Sequence, residues 1–200
     1  MGKKLLAAVL GGLAFFFWSF AAHDVLLLGK TGIKEVPNEQ AVLAAMKANM
    51  PENGLYFIPG LGLPENATRA QQSAAMEARM HKVETGPSGL LVYHPSLSFS
   101  FGKALGVELG TNILQVLLAV ILLGQTSLVS FAARWRFITL AGILAAISTN
   151  ISYWNWYGFP GNYTLAYICT IAMGFVFAGL VAAAIVKPGV AATTARAAKA

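Results

Sequence analysis

The chain has 200 residues, 56% of them hydrophobic and 11% charged, with a mean hydropathy of +0.63. Charge this sparse excludes an ordinary water-soluble domain as a description of the whole chain. The formal net charge of +6 would suggest nucleic acid in a soluble protein, but here the basic residues stand beside apolar runs. The positive-inside pattern of membrane proteins accounts for them, and no nucleic-acid partner is expected.

In chain order, Lys3 and Lys4 precede an apolar run from Leu5 to Leu28 that only Ser19, His23 and Asp24 interrupt with polar side chains. A bilayer-spanning helix needs about 20 such residues. The run also admits a rival reading as a signal peptide cleaved after Ser19-Phe20-Ala21. Against cleavage stand the bulky Phe15-Phe16-Phe17-Trp18 and the apolar Val25 to Leu28, so an uncleaved anchor is expected.

Residues 30–103 read as a small α/β insert. Pro37-Asn38-Glu39-Gln40 starts a helix carrying Val42, Leu43, Met46 and Met50 on one face, and Pro51-Glu52-Asn53-Gly54 stops it. Leu55 to Ile58 forms a short strand. Thr68 and Gln71 have the spacing of a capping box, and the helix after them ends at Thr85-Gly86-Pro87. Gly89 to Tyr93 makes a second strand, and Ser96 to Phe101 alternates polar and apolar as a half-buried third strand would. Leu97, Phe99 and Phe101 then face either the insert's core or the lipid surface. The methionine pairs Met46/Met50 and Met76/Met80 could hold Cu(I) as thioethers, but methionine is also an adaptable packing residue, and core packing is the expected role.

From Ala104 to Val186 the only ionisable acids or bases, Tyr and Cys aside, are Glu108, Arg134 and Arg136. Three more spans are expected, at about Leu105–Ala132, Phe137–Trp156 and Tyr163–Val186. With a cytoplasmic N-terminus, the inside segments 1–4, 133–136 and 187–200 hold seven basic residues and no acid, whereas Lys30 to Lys103 holds seven basic residues against six Glu. Both termini therefore fall inside and the insert outside. The aromatic cluster Tyr153, Trp154, Trp156, Tyr157, Phe159 and Tyr163 suits an outer interfacial belt. Cys169 is expected to be a small packing residue, and with one cysteine there is no disulfide framework.

Polar residues inside spans mark structure or function. Glu108, Thr111, Asn112 and Gln115 are spaced i, i+3, i+4 and i+7, on one face of the second span. His23 and Asp24 fall at similar depth on the first span, and Asn150 and Asn155 on the third. These eight residues form the candidate intramembrane layer, with two readings open: a polar pocket or relay, or interhelical hydrogen bonding. No catalytic, metal or cofactor signature is present, so none is assigned.

The anchor text Phe15-Phe16-Phe17-Trp18-Ser19-Phe20, the motifs Asn38-Glu39-Gln40-Ala41-Val42 and Asn53-Gly54-Leu55-Tyr56-Phe57-Ile58-Pro59, and the three closely spaced spans that follow resemble an uncharacterised family of bacterial inner-membrane proteins. The resemblance implies the same architecture and no known activity. The whole reads as a membrane all-α protein, a four-transmembrane-helix bundle with a small α/β extracytoplasmic insert between helices 1 and 2. Its segments are an anchor (1–29), the insert (30–104), a three-helix membrane region (105–186) and a cytoplasmic tail (187–200). The expected role is an accessory or interaction component that binds a partner, such as another membrane protein, or membrane lipid through its external domain. The alternatives are a small permease or proton-coupled carrier using Asp24 and Glu108, and a membrane enzyme or metal-handling protein.

Overall fold

The computed structural model describes residues 2–186, so the expected tail lies outside the described residues. The elements in chain order are α1 (Gly2–Phe20), α2 (Glu39–Asn49), β1 (Gly54–Ile58), α3 (Arg69–Thr85), β2 (Gly89–Tyr93), α4 (Phe101–Leu123), α5 (Phe131–Tyr157) and α6 (Gly161–Ile185). They divide into two compact units. One comprises Met1–Ile33 with Ser100–Ala200, the other Lys34–Phe99.

The first unit holds four helices long and apolar enough to cross a membrane: α1 extended through a π-helical turn at Ala21–Val25, then α4, α5 and α6. The shortest of them, α4, has 23 residues. At about 1.5 Å per residue it matches a hydrocarbon layer of about 30 Å. Helices α1 and α6 form the centre, with α4 against α1 and α5 against α6, while α4 and α5 touch only slightly. Contacts run in opposite directions along each pair. Gly11, Phe15 and Trp18 of α1 meet Ala178, Gly174 and Thr170 of α6, and Arg134, Ile138 and Gly142 of α5 meet Ala183, Gly179 and Phe175. Neighbouring helices are therefore antiparallel.

Small residues make this close packing possible, since apolar helices in lipid associate chiefly through van der Waals contact. Phe15 fills the space that a Cβ on Gly174 would take and Phe175 that of a Cβ on Gly142, and the two rings meet edge to face at 5.2 Å. Val116, Val120, Ile138, Ala178 and Ala182 close the apolar core around them.

Three boundaries differ from the sequence expectation: the second span begins at Phe101 instead of Leu105, the third begins at Phe131 instead of Phe137, and the end of the second moves as well. The second span stops at Leu123 instead of Ala132, because the chain turns at Gly124 and Ser130 Oγ accepts the Ala133 amide at 3.2 Å to open α5. Leu128 packs on the apolar core from within this turn, so hydropathy alone reads straight through it. Arg134 and Arg136 consequently stand on the first turns of α5 and not in a loop. Cys169, expected to pack, is exposed on α6.

In the second unit, β1 and β2 pair antiparallel with Leu55 opposite Val92 and Tyr56 opposite Leu91. The capping box is present in both directions: Thr68 Oγ1 accepts the Gln71 amide at 3.3 Å and Gln71 Oε1 accepts the Thr68 amide at 2.8 Å. The third strand is not formed. Residues 96–100 pair with no strand, and Ser100 is taken up as the cap of α4, accepting the Lys103 amide at 3.4 Å. An α-β-α-β order replaces the expected α-β-α-β-β. The expected methionine core is also absent. No residue of 34–99 is buried, and Met76 and Met80 are 46% and 53% exposed. The physical reason is size and composition: α3 offers only Met76, Met80 and Val83 as large apolar side chains, too few to close a core in so short a segment.

Candidate functional site at the aromatic end of the helical unit

The four-helix unit has two unlike ends. At one, α1 and α5 begin and α4 and α6 finish; Lys3, Lys4, Arg134 and Arg136 gather there with no carboxylate among the described residues. At the other end, buried side chains become polar. Asn150, Thr164 and Thr170 are all buried along the α5–α6 and α1–α6 seams.

Helix α6 positions this group. Asn150 closes the stripe Arg134, Ile138, Gly142, Ala146, Asn150, which recurs every four residues and turns one face of α5 to α6. Its Nδ2 donates to Ala146 O at 2.8 Å. Thr170 Oγ1 donates to Ala166 O at 2.9 Å, and the Thr170 carbonyl also accepts the Trp18 indole N–H at 2.9 Å. Thr164 Oγ1 is buried without a hydrogen-bond partner.

His23 sits in the π-helical turn, half-buried, its Nδ1 at 2.9 Å from Ser19 O. A carbonyl only accepts, so Nδ1 carries the proton and donates. The imidazole meets Tyr167 edge to face at 5.9 Å. From there an unbroken series of rings runs through Tyr163 (4.5 Å), Phe159 (5.5 Å) and Tyr153 (5.3 Å, stacked). Gly158, at φ +70°, supplies the left-handed turn that folds α5 back into α6 and brings these rings together. Gly32 does the same for the chain leaving α1. Its φ is +79°, and a Cβ there would lie 2.7 Å from Tyr163 Cβ and 2.9 Å from Asn162 Oδ1.

The candidate layer does not converge as one. Asn112 is 1% exposed and its Nδ2 donates to Glu108 Oε1 at 3.2 Å, but Glu108 and Thr111 are exposed and Gln115 is half-buried. Of these four residues only Asn112 belongs to the buried stripe Asn112, Val116, Ala119, Val120, Leu123 that faces the bundle, and the other three flank it. Asp24 and Asn155 are exposed as well. Because α1 and α6 occupy the centre, the polar face of α4 and Asn150 of α5 lie on different seams. Of the eight residues, His23 and Asn150 border α6, Asn112 and Glu108 form a pair on α4, Gln115 is half-buried, and Asp24, Thr111 and Asn155 stand outward.

Sequence reading missed the residues that bond helix to helix. Arg134, read as a loop charge, is buried at 8% exposure. Its guanidinium donates to Ala183 O (Nε 3.3 Å, Nη2 3.0 Å) and to Val129 O. The Trp135 indole donates to Val176 O at 3.2 Å. Trp18 and Trp135 therefore bond α6 from its two flanking helices. The serine cap at Ser130 was the available signal that Arg134 lies on a helix. No group of three or more potential metal ligands occurs among the described residues.

Fold and polar groups together define a protein of four candidate membrane spans, packed through glycine and alanine, bonded by indole and guanidinium donors, with a small α/β unit between the first two spans. No family model, curated protein or solved structure matches this chain.

Proposed function

We propose that the chain is a four-span protein of the bacterial inner membrane, with both termini cytoplasmic and residues 34–99 outside, and that it acts as an accessory or interaction component through that external unit. The orientation is supported by the acid-free basic end of the helical unit and the aromatic series at the opposite end. An uncleaved first span is supported by the packing of α1 between α4 and α6, which buries Ala7, Ala8, Phe15 and Ala22.

One observation carries the interaction role: the unit 34–99 buries no residue of its own while Leu55 and Val92, a cross-strand pair on one face, are 65% and 67% exposed. A two-stranded sheet with no buried residue beneath it is at best marginally stable in water, so such a face is completed by what it binds. The carrier reading draws less support, since Asp24 and Glu108 are both exposed and share no hydrogen bond.

Two measurements test the proposal. In a Cys169→Ala background, Ser73→Cys should react with an impermeant thiol reagent in intact spheroplasts, whereas Ser127→Cys, in the α4–α5 turn, should react only after lysis. The reverse pattern would invert the orientation. For the role, a photoreactive residue at Leu55 or Val92 in native membranes should give one adduct of discrete mass, absent when the same residue replaces Ser73 on α3. Equal, diffuse yields at all three positions would remove the interaction role.

A further inference from the structure

The residues preceding α4 carry a pattern that the fold leaves unused. Leu97, Phe99 and Phe101 are 65%, 68% and 69% exposed, and serines alternate with them at 96, 98 and 100. No strand pairs with this stretch, so its period of two serves no sheet. It runs directly into α4, whose first residue is Phe101. At no more than about 3.6 Å per residue, Leu97 lies within about 14 Å of that helix start. A 23-residue helix is about 35 Å long, slightly more than the hydrocarbon layer of about 30 Å, so its first turn comes at the boundary between acyl chains and headgroups.

Charge agrees with this placement. From Thr85 to Val107 the chain holds no carboxylate, while Lys103 stands in the first turn of α4. Its long stem can lie along apolar surface while the ammonium reaches lipid phosphates.

We propose that residues 96–101 lie along the outer bilayer surface, with Leu97, Phe99 and Phe101 among the upper acyl chains and the intervening serines toward the headgroups. The occupant of this apolar edge is lipid. The proposal rests on the reading of α4 as a membrane span and adds the entry of the chain into the bilayer.

The test is site-directed spin labelling of the full chain in liposomes of mixed zwitterionic and anionic phospholipid, with single cysteines at 96, 97, 98 and 99 in the Cys169→Ala background. Labels at Leu97→Cys and Phe99→Cys should be relaxed several-fold more by oxygen, which concentrates in lipid, than by a water-soluble nickel complex. Labels at Ser96→Cys and Ser98→Cys should show the opposite preference. Nickel access at all four positions would overturn the proposal, and so would low access to both reagents at 97 and 99, which would place protein, a second copy or a partner, over this edge. Leu114→Cys, 54% exposed at the middle of α4, serves as the control. Oxygen preference there keeps the span reading whatever happens at 96–99, whereas nickel access there would overturn the span itself.

Discussion

A single methyl group at Gly12 is expected to force α1 away from α4. A Cβ at this position would lie 2.6 Å from Ile113 Cγ1, 2.7 Å from Ile113 Cα and 2.8 Å from Ile113 N. Two of these atoms are backbone, so no change of rotamer relieves the overlap and the helices themselves must separate. Overpacking of this kind costs about 1–3 kcal/mol, and with backbone on the far side the upper end of that range applies. Alanine recovers up to about 1 kcal/mol through its better helix propensity, which leaves a net loss of about 2 kcal/mol. For a chain of this size that corresponds to a fall in Tm of about 4–8 °C, readable by tryptophan fluorescence in detergent. Gly110→Ala is the matched control on α4, because a Cβ there meets nothing within 4 Å. It should melt no lower than the parent. Equal melting of Gly12→Ala and Gly110→Ala would show that α1 and α4 do not pack at this distance.

Arg134→Leu should cost more. The C=O groups of the last turn of a helix lack intrahelical donors, and Ala183 O of α6 is met instead by Arg134 Nε and Nη2, while Nη1 reaches Val129 O in the turn before α5. The cation also opposes the negative end of the α6 dipole. Leucine would bury well, and exchanging buried charge for apolar surface is often tolerated where both partners are replaced. Here both carbonyls remain and lose their donor, at about 1–3 kcal/mol each. A loss of about 3 kcal/mol or more is expected, together with faster proteolysis in the turn 124–130. Arg134→Lys keeps the charge but not the fork that bridges two carbonyls, so it should recover only part of the stability. Full stability of Arg134→Leu would mean that the guanidinium does not tie α5 to α6.

Much of the architecture is legible in the residues alone. The apolar run from Leu5 to Leu28 and the scarcity of charge between Ala104 and Val186 read directly as α1 and as α4, α5 and α6, each apolar enough to cross a membrane. Local chemistry also reads directly. Thr68 and Gln71 form their capping box, and Gly54–Ile58 and Gly89–Tyr93 form their strands. The capping box depends on contacts within a few residues and the apolar helices on solvent preference averaged over a run, while the two strands formed because each found the other as its partner.

What failed to read out depends on partners distant in sequence. Leu128 keeps the hydropathy high where the backbone turns, so a helix end was concealed behind a side chain that packs on the core. The alternation at 96–101 marks an apolar edge, but a strand also needs a neighbour, and Ser100 was committed to capping α4. Glu108, Thr111, Asn112 and Gln115 share one arc of α4 by their spacing. Helical periodicity orients that arc only about its own axis, and their fates diverge once α1 covers Asn112 and leaves Glu108 and Thr111 outside. Composition and periodicity thus determined the apolar helices, the capping box of α3 and the two strands. Tertiary structure decided which helices are central, because glycine and alanine on α1 and α6 let those two backbones approach closely, and that choice set which polar side chains meet and turned Arg134 from a surface charge into the clasp of α5 on α6.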